Sequence, residues 1–371
     1  MTLPFLYQLQ DANYKSLSSA DFKIAIIDPD DSELSAAQVQ ALGASGKQLL
    51  AYASIGEAED YRDYWSSGSW GSRPPSFVLA ENPEWPGNYL VKFWEPAWQK
   101  IVMQRVDAAV SQGYKGIYLD IVDAYAVAQV KNAYPGTDAQ LRQAMIDFVI
   151  EISEYAKSKQ PGFMVVPQNA VGLLAVNENN PSSGPNSAYL AAIDGLGVED
   201  LWFDGNGSSS WTQGDLKYIQ HALNADKFVL ATSYPTDAAK QSTFTSSALQ
   251  AGLIPLATDR DLTGKIPAAN AGTDQAMKAM NIDTPWTRSG SYGEVSGSNY
   301  GGSGSGGEGS GSGSYNGGSG SGGEGSGSGS NNGGSGSGGE GSGSGSNNGG
   351  SGSGGEGSGS GSNNGGSGSG G

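Results

Sequence analysis

Eight runs of apolar, β-branched and aromatic residues recur along the first 260 positions, at 5–10, 22–28, 48–56, 116–122, 163–168, 194–201, 228–234 and 253–259. They are near-continuous rather than alternating, which is the pattern of parallel strands covered on both faces by helices. Helical spacing fills several of the gaps. Ile101, Val102, Val106 and Val110 share one stripe within 97–112, and Leu141, Met145, Phe148, Val149 and Ile152 share another within 138–159. Shorter helical stretches at 216–224 and 238–251 complete the later units. Eight strand–helix units in about 285 residues predict an α/β fold of one (β/α)8 TIM barrel, whose usual length is ~250 residues. A doubly wound open sheet, the competing architecture, would need a glycine-rich phosphate fingerprint after an early strand, and no such segment is present.

Two of the runs close on a carboxylate. Gly116-Ile117-Tyr118-Leu119-Asp120 ends in one acid, and Asp194-Gly195-Leu196-Gly197-Val198-Glu199 in another. The carboxyl ends of barrel strands form the face where substrate sits. With no cysteine and a single histidine in the chain, a pair of acids on that face points to the acid-and-nucleophile chemistry of glycoside hydrolysis. The lone histidine, His221, falls in a predicted outer helix and reads as a surface or packing residue.

Composition changes sharply after Arg288. Residues 289–371 are Gly, Ser, Asn and Glu apart from Tyr292, Val295, Tyr300 and Tyr315, and from Gly301 a 16-residue unit, GGSGSGGEGSGSGS(Y/N)N, runs through four copies and seven residues of a fifth. Such a segment buries too little to offset ~1–2 kcal/mol of backbone entropy per ordered residue, so the expectation is a disordered tail behind a catalytic domain at 1–288. A calcium-binding β-roll would need an Asp and an apolar residue in each nine-residue unit, and the repeat has neither.

The net charge is −17. Five of the 37 acidic residues and no basic ones lie after Arg288, leaving 32 acidic against 20 basic groups before it. So acidic a surface argues against nucleic acid, which needs clustered Lys and Arg, and suits a neutral or cationic partner. No run approaches the ~20 apolar residues of a membrane span. Met1-Thr2-Leu3-Pro4 leads straight into the first run without a basic, apolar leader, so the residues leave export open. Asn206-Gly207-Ser208 matches a glycosylation sequon, but chance is the better explanation of a three-residue match.

Several segments carry a specific resemblance: Tyr7-Gln8-Leu9-Gln10, Ile27-Asp28, the block Ala51-Tyr52-Ala53-Ser54-Ile55-Gly56-Glu57-Ala58-Glu59 with Arg62-Asp63-Tyr64-Trp65, then Gly116–Asp120, Gln168-Asn169 and Gly197-Val198-Glu199. In this order the sequence resembles glycoside hydrolase family 114, the endo-α-1,4-polygalactosaminidase-like proteins, over roughly residues 5–265. The resemblance implies a monomeric, cofactor-free barrel that hydrolyses a polysaccharide containing α-1,4-linked galactosamine, at an extracellular or cell-surface location. Asp120 and Glu199 fall on the family's two presumed catalytic acids. By analogy with related barrels Asp120 is the nucleophile and Glu199 the proton-carrying acid/base, although the residues alone allow the reverse order. That pairing predicts retention of anomeric configuration, with the carboxyls ~5–5.5 Å apart.

Other polar residues at strand ends are candidates for holding the sugar: Asp28, Tyr52, Glu57, Asp123, Gln168, Asn169, Tyr234 and Asp259. An amino sugar adds an ammonium group that Asp28, Glu57 or Asp259 could meet, because a desolvated cation needs a paired carboxylate. Asp200, adjacent to Glu199, should point away from the site if strand alternation holds. Residues 57–95 read as a long irregular loop rich in Trp65, Trp70, Trp85, Trp94, Tyr61, Tyr64 and Tyr89, a binding wall in which one or two rings stack on sugar and the rest anchor the loop. Two rival functions remain: a carbohydrate-binding barrel without turnover, and a surface protein displayed by its tail.

Overall fold

The structure is a computed structural model that describes residues 3–280 except Ser69 and Ser72, together with Ile282 and short backbone strands between 298 and 369. Its contacts divide the chain into Met1–Pro285 and Trp286–Gly371.

The first unit is built on eight parallel strands: β1 Leu3–Gln8, β2 Phe22–Ile27, β3 Gln48–Ser54, β4 Gly116–Asp120, β5 Met164–Pro167, β6 Gly195–Glu199, β7 Phe228–Ser233 and β8 Ile254–Ala257. Ladders join β1 through β5 and, separately, β6 through β8. The two arcs meet where Gln168 bridges Gly197 and Asn169 N–H donates to the Gly197 carbonyl at 2.8 Å. On the other side β8 lies beside β1, and the chain beyond β8 fastens there, with Leu9 N–H donating to the Leu262 carbonyl at 2.9 Å.

Period-two alternation along these strands explains why the runs look uniformly apolar. One parity, including Leu6, Ala25, Ile27, Leu49, Ala51, Ile117, Leu119, Val165, Leu196, Val198, Val229 and Ala231, joins the helices in one continuous core. The other parity, including Phe5, Tyr7, Ile24, Ile26, Leu50, Tyr118, Val166, Leu230 and Leu256, is buried as well and fills the ring, where Tyr7 and Tyr118 meet at 5.3 Å. Each such side chain contributes about 1.5–3 kcal/mol on burial. Gly197 gives the Tyr118 hydroxyl its space: a Cβ there would stand 1.8 Å from that oxygen. The helices Pro96–Gln112, Asp138–Lys159, Thr212–Asn224 and Ala238–Gln250 occupy the expected stretches. Tyr14–Ser19, Ala36–Ala44, Ser187–Ala192 and Thr273–Ala279 supply the other units. At six to nine residues they are too short for a hydrophobic period to stand out.

Residues 57–95 differ from the expected irregular loop. Glu57–Glu59, Asn88–Val91 and Val78–Glu81 form an antiparallel sheet, and Asp63–Ser67 a short helix. The tryptophans supply its core: Trp65 packs on Trp70 at 5.2 Å and on Tyr89 at 4.9 Å, and Trp70 on Phe77 at 5.5 Å.

In the second unit, the described strands from Ser298–Tyr300 to Gly368–Ser369 form two five-stranded parallel ladders, each strand pairing with the one sixteen residues on. The side chains and intervening residues lie outside those described, and the expectation of a disordered tail lies with them.

Candidate active site

The inward parity that fills the ring continues past the carboxyl ends of the strands, where it changes from apolar to polar. Asp28 follows β2, Tyr52 lies near the end of β3, Asp120 and Glu199 end β4 and β6, and Gln168 and Tyr234 follow β5 and β7. All six line one cavity of about 590 Å³, with Glu57, Asp123 and Asn169. Asp259 does not reach it. Leu256 and Thr258 hold the inward parity on β8, and Asp259 turns outward to accept a 2.7 Å bond from the Thr263 hydroxyl. Among the described residues no group of acids or histidines is arranged to hold a metal ion.

The two strand-end acids are held by hydrogen-bond donors, most of them side chains. The Tyr52 hydroxyl donates to Asp120 Oδ2 at 2.6 Å, and the Ile121 N–H to Oδ1 at 2.8 Å. Ile121 sits at φ 55°, a left-handed conformation costly for a β-branched residue and tolerated where surrounding structure enforces it. Glu199 accepts from three side chains: the Tyr234 hydroxyl to Oε1, the Gln168 amide to Oε2, and the Asn169 amide to Oε2 at 3.3 Å. The Tyr7 hydroxyl donates to Gln168 Oε1 at 3.0 Å, which turns the Gln168 NH2 toward Glu199. Asp200, at φ 55°, leaves the cavity for Arg260, 2.9 Å away.

Burial raises the pKa of both acids, and the charge of Glu199 adds to the effect on Asp120, whose carboxyl is pushed up to about 8 despite the opposing bonds from Tyr52 and Ile121. Two half-buried carboxyls on one cavity resist joint ionisation. Burial and the Glu199 charge thus favour the protonated form of Asp120. Sequence reasoning expects the proton on Glu199, where burial also favours the protonated form and three donors oppose it.

Arginines were not among the candidates, yet two border the cavity. Arg62 is 3% exposed and spans Glu59 at 2.7 Å, Asp28 at 2.7 Å and Asp30 at 3.0 Å. Arg260 lies over the Tyr234 ring at 4.5 Å and pairs with Asp200 and Asp204. Both are thus engaged by acids already, so the cavity, bordered also by Glu57, Asp31, Asp123 and Asp261, is strongly anionic. Arg62 and Glu59 lie inside the block that carries the family resemblance, a signal that could have marked them. Tyr7 lies in another segment of that resemblance, Tyr7-Gln8-Leu9-Gln10, whereas for Arg260 the sequence held no comparable mark.

The aromatic residues of 57–95 divide by exposure. Trp65, Trp70 and Tyr64 pack inward, while Trp85 and Tyr61, 49% and 61% exposed, border the cavity.

Comparison with known proteins places this architecture. The model of glycoside-hydrolase family GH114 matches residues 2–278. An uncharacterised protein of Methanocaldococcus jannaschii is 33% identical over 273 residues, covering 69% of this chain and 76% of the relative. One from Thermotoga maritima is 34% identical over 245 residues, covering 63% and 72%. Among solved structures, Aspergillus fumigatus Ega3 in complex with galactosamine superposes with a TM-score of 0.54 at 17% identity, over 72% of this chain and 93% of that one. The glycoside hydrolase domain of PelA from Pseudomonas aeruginosa gives 0.50 at 18% identity, over 71% and 96%. At such identities these two likenesses speak for the fold.

Proposed function

Because the chain belongs to glycoside-hydrolase family GH114, we propose that it is a retaining endo-glycosidase acting on α-1,4-linked, galactosamine-containing polysaccharide, with Asp120 and Glu199 as its carboxylate pair. The observation that carries this reading is the half-buried pair itself, lining an anionic cavity at the carboxyl end of the barrel. An anionic cavity with both arginines engaged favours a cationic sugar, and an ammonium near Asp120 stabilises its carboxylate, so that the shared proton passes to Glu199 as substrate enters. Asp120 then attacks the anomeric carbon as the glycosidic bond breaks and Glu199 gives its proton to the leaving oxygen. Water, deprotonated by Glu199, displaces Asp120 in the second step and restores the starting configuration. Exposed Trp85 and Tyr61 at the border of the cavity suit the flanking units of a polymer cut internally. A polymer of this kind is met outside the cell, and an extracellular or cell-surface location accompanies the proposal.

The test is hydrolysis of defined galactosamine polymers by Asp120→Asn and Glu199→Gln, read by mass spectrometry of released oligosaccharides. Each is expected to lose at least ~10²-fold in kcat with its fold intact; more than a tenth of wild-type turnover in either removes that residue from catalysis. Azide supplied to Asp120→Gly should yield a β-glycosyl azide and to Glu199→Gly an α-glycosyl azide. The opposite result exchanges the two roles.

A further inference from the structure

Among the described residues, one buried side-chain polar atom without a hydrogen-bond partner belongs to a residue bordering the cavity: Glu57 Oε2. Glu57 is 1% exposed. Its position is set from both sides, since its N–H donates to Ser54 Oγ at 3.1 Å and the Asn82 amide donates to its Oε1 at 2.8 Å. The Asn88 amide is near enough to favour the ionised form without bonding Oε2. The charges around Glu57 are of its own sign, Glu59 and Asp123.

The nearby cation cannot serve it. Arg62 gives Nε and Nη2 to Glu59, and Nη1 to Asp28 and Asp30. The same bonds take Asp28, Asp30 and Glu59 out of contention as receptors for a ligand cation. Asp28 is further committed to the Asp30 N–H at 3.0 Å and Glu59 to the Tyr61 hydroxyl at 2.7 Å. Asp123 is exposed, so water can hydrate it. A buried carboxylate with one oxygen unmatched is costly until a donor arrives, and among the described residues none bonds Oε2.

We propose that Glu57 is the ammonium receptor of the cavity: its free Oε2 accepts from the protonated 2-amino group of a galactosamine unit and so selects the free amine over the N-acetylated sugar. This rests on the glycosidase reading above. An ammonium offers three N–H donors and a full positive charge, while an acetamido nitrogen offers one donor, no charge and a methyl-bearing group to fit against the carboxylate. Loss of a charged hydrogen bond corresponds to about ten- to a hundredfold in binding or kcat/KM.

The experiment compares kcat/KM on fully deacetylated and on N-acetylated α-1,4-galactosamine oligomers for the wild type and Glu57→Gln, with melting temperature as the check on folding. The wild type should prefer the amine at least tenfold. Glu57→Gln should melt at or above the wild-type temperature and lose most of that preference, chiefly through KM on the amine substrate. A wild-type preference below tenfold overturns the proposal whether or not the variant folds. So does a folded Glu57→Gln that keeps the preference within twofold or loses rate equally on both substrates. Failure of the glycosidase reading would look different, because the wild type would then release no oligosaccharide from either polymer.

Discussion

At the scale of single residues, type mattered less than what each side chain was bonded to. Asp28 and Glu57 are both buried acids on the same cavity, yet Asp28 is neutralised by Arg62 and Glu57 keeps an unmatched oxygen. Asp120 and Glu199 differ in the same way, through the number of donors that reach them. The Tyr52 hydroxyl favours the ionised form of Asp120, so Tyr52→Phe should raise that pKa further. Above about 8 the free pair loses its last proton and with it the general acid, which predicts a basic limb near there in the pH profile of kcat/KM. In Tyr52→Phe the limb should move to higher pH. A limb that stays in place or moves down would show that another group sets it. Strand position marked Asp120, Glu199, Asp28, Tyr52, Gln168 and Tyr234 in advance, because strand ends and parity are local properties. Asp259 shows the limit: it also follows a strand, but one residue out of step with Thr258, so it faces away.

Among the elements, the small sheet over residues 57–95 departs most from expectation. Its strands are three or four residues long and separated by up to eighteen, so no period could mark them, and its aromatic residues read equally as core or as binding surface. Packing separates the two uses. Trp65 is 8% exposed and wedged against Trp70 and Tyr89, so Trp65→Ala should cost about 3–5 kcal/mol of stability. Trp85 is half exposed, and Trp85→Ala should change stability by less than about 0.5 kcal/mol while raising KM on long polymers several-fold. Thermal melts and steady-state kinetics on the two variants check both statements. Equal loss of stability in the two would make Trp85 part of the anchor. A comparable constraint sits below the cavity at Gly56, where a Cβ would stand 2.2 Å from the Ile121 carbonyl, tying the start of this sheet to the turn that follows Asp120.

For the whole molecule, the barrel has a continuous core within Met1–Pro285, whereas the 83 residues of 289–371 are Gly, Ser, Asn and Glu apart from Tyr292, Val295, Tyr300 and Tyr315. Deleting 289–371 is therefore expected to leave the melting temperature within a few degrees and activity on soluble substrate unchanged, measured by calorimetry and reducing-end release. A larger fall in melting temperature would mean that the repeat packs on the barrel. No helix among the described residues is long and apolar enough to cross a membrane.

The hydrophobic pattern alone determined the eight strands, the four long helices and the break in composition near residue 288, because parallel strands and amphipathic helices leave their period in the chain that forms them. It also determined which acids end strands. Only the tertiary structure decided which strand-end groups share the cavity, that Arg62 and Arg260 are already engaged by acids, that Tyr7 orients Gln168 toward Glu199, and that burial and the Glu199 charge together favour a proton on Asp120. These properties arise between residues far apart in the chain, 161 positions in the case of Tyr7 and Gln168. They depend on burial and on which donor reaches which oxygen, quantities that exist only once the ring has closed.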